Sequence, residues 1–169
     1  MILTSFNLLA SPSAQIEFLR CCGSSRWAEE MASHRPFHNS AQLFAVAEEI
    51  WRRLSSEDWR EAFSHHPKIG DMNSLRAKFA GAKGWAEGEQ AGVQSASDEI
   101  LQALAAGNEA YEKKFGYIFI VCATGKNAEE MLSLLRQRLP NDPAREIQIA
   151  VAEQAKITKI RLEKLLARA

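Results

Sequence analysis

The sequence predicts an all-α protein. Apolar residues recur at three- and four-residue spacing through most of the chain. Capping residues precede several of these runs, with acid in the first turn and base in the last. Only FGYIFIVCATG, residues 115 to 125, is rich enough in β-branched and aromatic residues to favour a strand. It has no evident partner, and an isolated strand is not stable. An extended segment or a continuation into helix is therefore expected there. The expected architecture is a single-domain bundle of about seven to nine helices over residues 1–169, with no significant sheet.

Each element has a local reason. Ser13 is placed to cap a segment carrying Ile16 and Leu19, and Ser24 or Ser25 to cap one holding Trp27 and Met31. Pro36 breaks the chain before a helix on which Leu43, Val46, Ala47, Ile50 and Leu54 share a face. Ser56, followed by Glu57 and Asp58, starts a short helix. Ser97, followed by Asp98 and Glu99, repeats that pattern for a helix through Ile100, Leu101 and Leu104 toward Tyr111. Asn127 caps the next, with Glu129 and Glu130 early and Arg136 and Arg138 late. Pro143 suits the first turn of a last helix that runs to about Leu166.

Composition narrows the function classes. The 169 residues fit one compact domain, and a hydrophobic fraction of 46% is ordinary for a globular core. Lys+Arg and Asp+Glu balance at 21 each, so nothing pulls the whole chain toward nucleic acid or an anionic membrane. No apolar run is long enough to span a bilayer. The N-terminal MILTSFNLLASPSA faintly resembles a secretory signal. It lacks a basic flank and is interrupted by Thr4, Ser5 and Asn7, so it is expected to be retained. Cys21, Cys22 and Cys122 form neither a disulfide framework nor a zinc pattern, which points to reduced thiols in a cytoplasmic protein. No GxGxxG, Walker loop or HExxH is present.

Four segments are candidates for chemistry. In SHHPKIGD, residues 64 to 71, Pro67 steers His66 away from helix, so a helix should end near His65 and present His66 on a turn. An imidazole held there suits proton transfer near neutral pH. A histidine at a helix C-terminus is equally what the dipole favours. In GWAEGEQAGV, residues 84 to 93, Glu89 and Gln90 stand among small residues and could orient a ureido group; an exposed loop or first helical turn would look the same. The backbone of 115–125 could line a site, with Gly125 permitting a sharp turn. On the last helix Ile147, Ala150, Val151, Ile157 and Leu165 form an apolar stripe that Gln154 and Arg161 interrupt. Polar groups on a buried face need partners, unless, as Arg161 could, they snorkel to the surface.

Taken together, HHPKIG, EQAG, KFGYIFIVCATGK and the closing RLEKLL resemble the 2-oxo-4-hydroxy-4-carboxy-5-ureidoimidazoline (OHCU) decarboxylase family in order and spacing. RPF at 35 to 37 and the tract from Trp51 to Leu54 resemble the family's early helices, so the likeness covers nearly the whole chain. The resemblance implies an all-helical, typically dimeric enzyme using no metal or organic cofactor. It implies conversion of OHCU, the product of hydroxyisourate hydrolysis, to (S)-allantoin with loss of CO₂. It puts the catalytic histidine at His66 rather than His65, and the active-site acid at Glu89. Substrate contacts fall on Pro67, Gln90, the backbone of Phe119, Ile120, Val121, Cys122 and Ala123, and Arg161. Ala86 stands where the family commonly has serine, so a backbone group or water is expected to replace a hydroxyl contact. Lys68, after the proline, reads as surface variation. A homodimer is expected, with the preceding hydrolase as a possible pathway neighbour and neither nucleic acid nor membrane as partner. The alternative from another class is a non-catalytic helical ligand-binding or adaptor domain of the same fold.

Overall fold

A computed structural model describes residues 2–67, 72–80 and 90–168, with the side chains of 78, 80 and 90–97 left aside. Among the described residues it is all helix and connection, with no strand. The helices are α1 (Leu3–Asn7), α2 (Ser11–Cys21), α3 (Ser25–Ser33), α4 (Ser40–Arg52), α5 (Ser56–Ser64), α6 (Met72–Ala80), α7 (Gln90–Phe115), α8 (Ala128–Arg138) and α9 (Pro143–Ala167). Two compact units are present. One comprises Met1–His66, Ile120–Cys122 and Gln148–Ala169; the other comprises Pro67–Phe119 and Ala123–Ile147.

Most starts follow the caps. The Ser24 hydroxyl accepts from the Trp27 N–H at 3.2 Å, and Asn127 Oδ1 accepts from Glu130 N–H at 2.8 Å. Ser55, immediately before α5, closes a capping box with Asp58. Two starts differ from expectation. The α2 helix begins at Ser11, with Pro12 in its first turn, so Ser13 is inside it and caps nothing. The α7 helix begins at Gln90, which leaves Ser97 in its interior. The sequence between, AGVQSA, contains no proline, so nothing stops the helix from extending backward.

In the first unit the core is held by aromatic residues with polar handles. Phe6 of α1 is fully buried edge-on against Phe18 of α2, ring centroids 4.9 Å apart. Phe18 meets Trp27 of α3 at 5.7 Å. Burying one such side chain contributes about 1.5–3 kcal/mol. Each buried indole N–H must also find an acceptor. Trp27 donates to the Ala47 carbonyl on α4 at 3.0 Å, and Trp51 to Val151 on α9 at 2.9 Å. Trp59 of α5 donates to the Trp51 carbonyl at 2.9 Å. These bonds set how α3, α4, α5 and α9 meet.

In the second unit, Tyr111 of α7, Arg138 of α8 and Glu146 of α9 form a buried polar cluster. Arg138 donates to Glu146 Oε2 through Nε at 2.9 Å and Nη2 at 2.6 Å, while Asn141 donates to Oε1 at 3.1 Å. Tyr111 also donates to Glu146. Burial, then this hydrogen bond, holds the phenol far above its ordinary pKa, so it stays protonated. The segment after α7 follows no regular structure. Phe119 packs edge-on against Tyr111 with centroids 5.2 Å apart, and the Arg138 guanidinium sits 4.5 Å from the Phe119 ring. Aromatic and cation–π contacts thus anchor the Phe119 side chain of this segment.

Candidate active site

The α5 helix stops where proline demands. His65 is its C-cap residue, still in the right-handed helical region (φ −83°, ψ −6°). The His66 N–H makes a final 3.3 Å turn bond to Phe63 O before Pro67. The two imidazoles face different surroundings. His65 is exposed and its Cβ lies beside Gly23, where an added Cβ would come within 2.5 Å. His66 is half-buried, and its Nε2 lies 2.5 Å from Gln154 Oε1 on α9.

Gln154 is fully buried and passes the contact on: its Nε2 donates to Thr158 Oγ1 at 3.1 Å, one turn along the same helix. Arg161, a further turn along, is half-buried, and its Nη1 reaches the Cys21 carbonyl at 3.5 Å. Burial pushes the His66 pKa below that of an ordinary histidine; the Gln154 hydrogen bond opposes this, while the Arg161 and His65 charges reinforce it. The imidazole is therefore neutral at neutral pH. The adjacent cysteines are no rivals as nucleophiles. Burial pushes Cys21 up to about 12 and Cys22 up to about 11 despite the nearby Arg161 charge.

Of the backbone stretch, Ile120 and Cys122 are buried and Val121 is half-buried in the same unit as His66 and Arg161. The Cys122 N–H donates to Glu153 Oε1 at 3.2 Å, so that amide is already engaged. Glu153 immediately precedes Gln154, and the pair gives α9 an acid and an amide that the sequence reading did not assign to the site. Pro67, Phe119 and Ala123 belong to the other unit. There Ala123 O accepts from the Lys126 N–H at 3.0 Å, across a turn in which Gly125 takes a positive φ of 75°. Gln90 opens α7. Glu89 and Ala86 lie outside the described residues, as do Trp85 and Lys68. An open groove of about 430 Å³ between α7 and α8, lined by Ile100, Glu129, Leu132, Ser133, Arg136 and Gln137, contains none of the expected site residues.

A neutral, half-buried imidazole with one nitrogen held and a cation nearby is equipped for proton transfer on a small anion. A family model described as OHCU decarboxylase matches residues 7–163. The chain belongs to that family. It is 38% identical over 158 residues to the uric acid degradation bifunctional protein TTL of Arabidopsis thaliana, covering 93% of this chain and 48% of that one. It is 32% identical over 134 residues to the 2-oxo-4-hydroxy-4-carboxy-5-ureidoimidazoline decarboxylase of Amia calva, covering 79% and 76%. The chain thus spans about half the length of the Arabidopsis relative. A crystal structure of an OHCU decarboxylase in the presence of (S)-allantoin superposes with a TM-score of 0.72 at 39% identity, covering 89% of this chain and 97% of that one. A crystal structure of an (S)-allantoin synthase shares the fold, with a TM-score of 0.69 at 18% identity over 97% of this chain and 54% of that one.

Proposed function

We propose that this chain decarboxylates OHCU to (S)-allantoin in urate breakdown, without a cofactor, and that His66 transfers the proton. The observation that carries the reading is the His66 imidazole: at the end of α5 before Pro67, half-buried, and hydrogen-bonded to buried Gln154, with burial and the Arg161 charge holding its pKa below the ordinary value. Family membership supplies the substrate class.

In the reaction the bond between the ring carbon and its carboxylate breaks and CO₂ leaves. The electron pair stays with the ring and spreads into the adjacent imine or carbonyl. A proton must then reach one face only, because the product is chiral. His66 is the group assigned to that proton, and Arg161 the group for the departing carboxylate. Glu89 holds the substrate or tunes the imidazole. Pro67, Gln90, the small Ala86 and the backbone from Phe119 through Ile120, Val121 and Cys122 to Ala123 complete the contacts. Apolar neighbours such as Ile120 exclude water and strengthen them. The reading extends to one decarboxylase-like domain acting as a cytoplasmic homodimer. Its three buried cysteines, none of them in a disulfide, support a reducing compartment.

The test is a coupled assay. Urate oxidase and hydroxyisourate hydrolase generate OHCU in situ, and the chirality of the allantoin is followed by circular dichroism. An excess of the S enantiomer, formed faster than in buffer, is expected. Racemic allantoin at the buffer rate would sink the decarboxylase reading and leave a binding or adaptor domain.

A further inference from the structure

Gln154 has no role in the chemistry above, yet it is one of the largest fully buried side chains, and it is polar. A buried amide left unpaired costs about 1–3 kcal/mol, so both its ends need partners. Both have them. Its oxygen meets His66 Nε2 at 2.5 Å, and its nitrogen meets Thr158 Oγ1 at 3.1 Å. Thr158 is itself buried, and its hydroxyl oxygen accepts from the Gln154 amide nitrogen. The NH₂ end of the amide thus faces Thr158, and the carbonyl end faces His66.

A carbonyl oxygen accepts and cannot donate. The His66 nitrogen against it must therefore carry hydrogen. We propose that Gln154 is a positioning residue that locks neutral His66 as the Nε2–H tautomer, leaving Nδ1 as the nitrogen that takes and returns the proton. The inference rests on His66 being the proton-transfer group. It has a further physical merit. When Nδ1 takes up a proton, Nε2 remains a donor, so the Gln154 bond survives and no group need rotate during turnover. The reversed amide would set NH₂ against N–H at that moment. Electrostatically His66 is also faced by Arg161 on α9 and by its neighbour His65, both of which oppose the imidazolium; Gln154 favours it.

The tautomer can be read without any substitution of Gln154. Protein labelled with ¹⁵N-histidine is examined by long-range ¹H–¹⁵N correlation, with the His66 signals identified by their loss in His66→Asn. An unprotonated Nδ1 and a protonated Nε2 above the His66 midpoint are expected; the Nδ1–H tautomer overturns the proposal. Gln154→Leu keeps the volume but removes the acceptor. It should mix the tautomers and lower kcat by about tenfold or more, within the 10²–10⁴ that a proton-transfer group supplies, with KM changed less than about threefold. Gln154→Glu keeps an acceptor. It should keep the Nε2–H tautomer, hold kcat within about tenfold of wild type, and raise the His66 midpoint, because a carboxylate favours the imidazolium. A folded Gln154→Leu with unchanged tautomer and kcat overturns the proposal. If Gln154→Leu does not fold, Gln154→Glu and the wild-type spectrum decide it. A wild-type chain that shows the Nε2–H tautomer but makes no allantoin refutes the decarboxylase reading and leaves the Gln154 contact standing.

Discussion

At the residue scale, two adjacent histidines have been separated by one proline. His65 finishes α5, exposed against Gly23, while His66 is half-buried against Gln154. His66→Asn should therefore lower turnover by about 10²-fold or more, and His65→Asn by less than about tenfold. Steady-state kinetics with OHCU generated in situ, beside melting curves, checks both; a dead His65→Asn with a near-wild-type His66→Asn would move the catalytic role by one residue. His66 also predicts a pH effect on stability. Its folded pKa lies below the ordinary 6.5, chiefly through burial. Between those two values the unfolded chain binds more protons than the folded one. Stability must then fall as pH drops from 6.5 through the folded midpoint. Urea titrations across that window should show the loss in wild type and a smaller loss in His66→Asn.

At the element scale, close approaches and buried charges decide what substitution does. Gly23, between α2 and α3, has no room for a side chain, because a Cβ would stand 2.5 Å from the Cβ and Cγ of His65. Gly23→Ala must displace His65, and with it the end of α5. It should cost about 1–3 kcal/mol, measured by urea denaturation, and should slow turnover through the neighbouring His66. The Arg138–Glu146 pair joins α8 to the first turn of α9, its side chains 8% and 0% exposed. Breaking such a pair by removing one partner costs about 3–5 kcal/mol, because the survivor is left charged and buried. Arg138→Leu and Glu146→Leu should each be that damaging. The double variant should fall well short of their sum, and strict additivity in a double-mutant cycle would refute the coupling.

At the scale of the whole molecule, the balanced charge of 21 basic and 21 acidic residues leaves attraction of the proposed anionic substrate to local groups, of which Arg161 is the one proposed. No helix among the described residues is long and apolar enough to cross a membrane. The proposed homodimer predicts a light-scattering mass twice the 18.9 kDa of one chain at micromolar concentration. A mass of one chain would remove that part of the proposal without touching the chemistry.

Local rules reach only as far as residues close together in the chain. Periodicity and capping foretold a helical protein, the starts of α3, α8 and α9, and the end of α5 at His65, because each depends on residues within a turn of one another. The Pro67 effect on His66 is of the same kind. Local rules misjudged α7, where a Ser-Asp-Glu run that would serve at a start lies inside a longer helix. They were of two minds over residues 115–125, whose strand propensity could not say what would replace a partner strand. Tertiary contacts hold the segment at particular points: Tyr111 and Arg138 pack on Phe119, and Glu153 accepts from the Cys122 N–H. Gln154 shows the division most clearly. Its place on an apolar stripe announced that it needed partners, but His66 is 88 positions away. The pairing of buried polar atoms across such separations is decided only when the chain has closed.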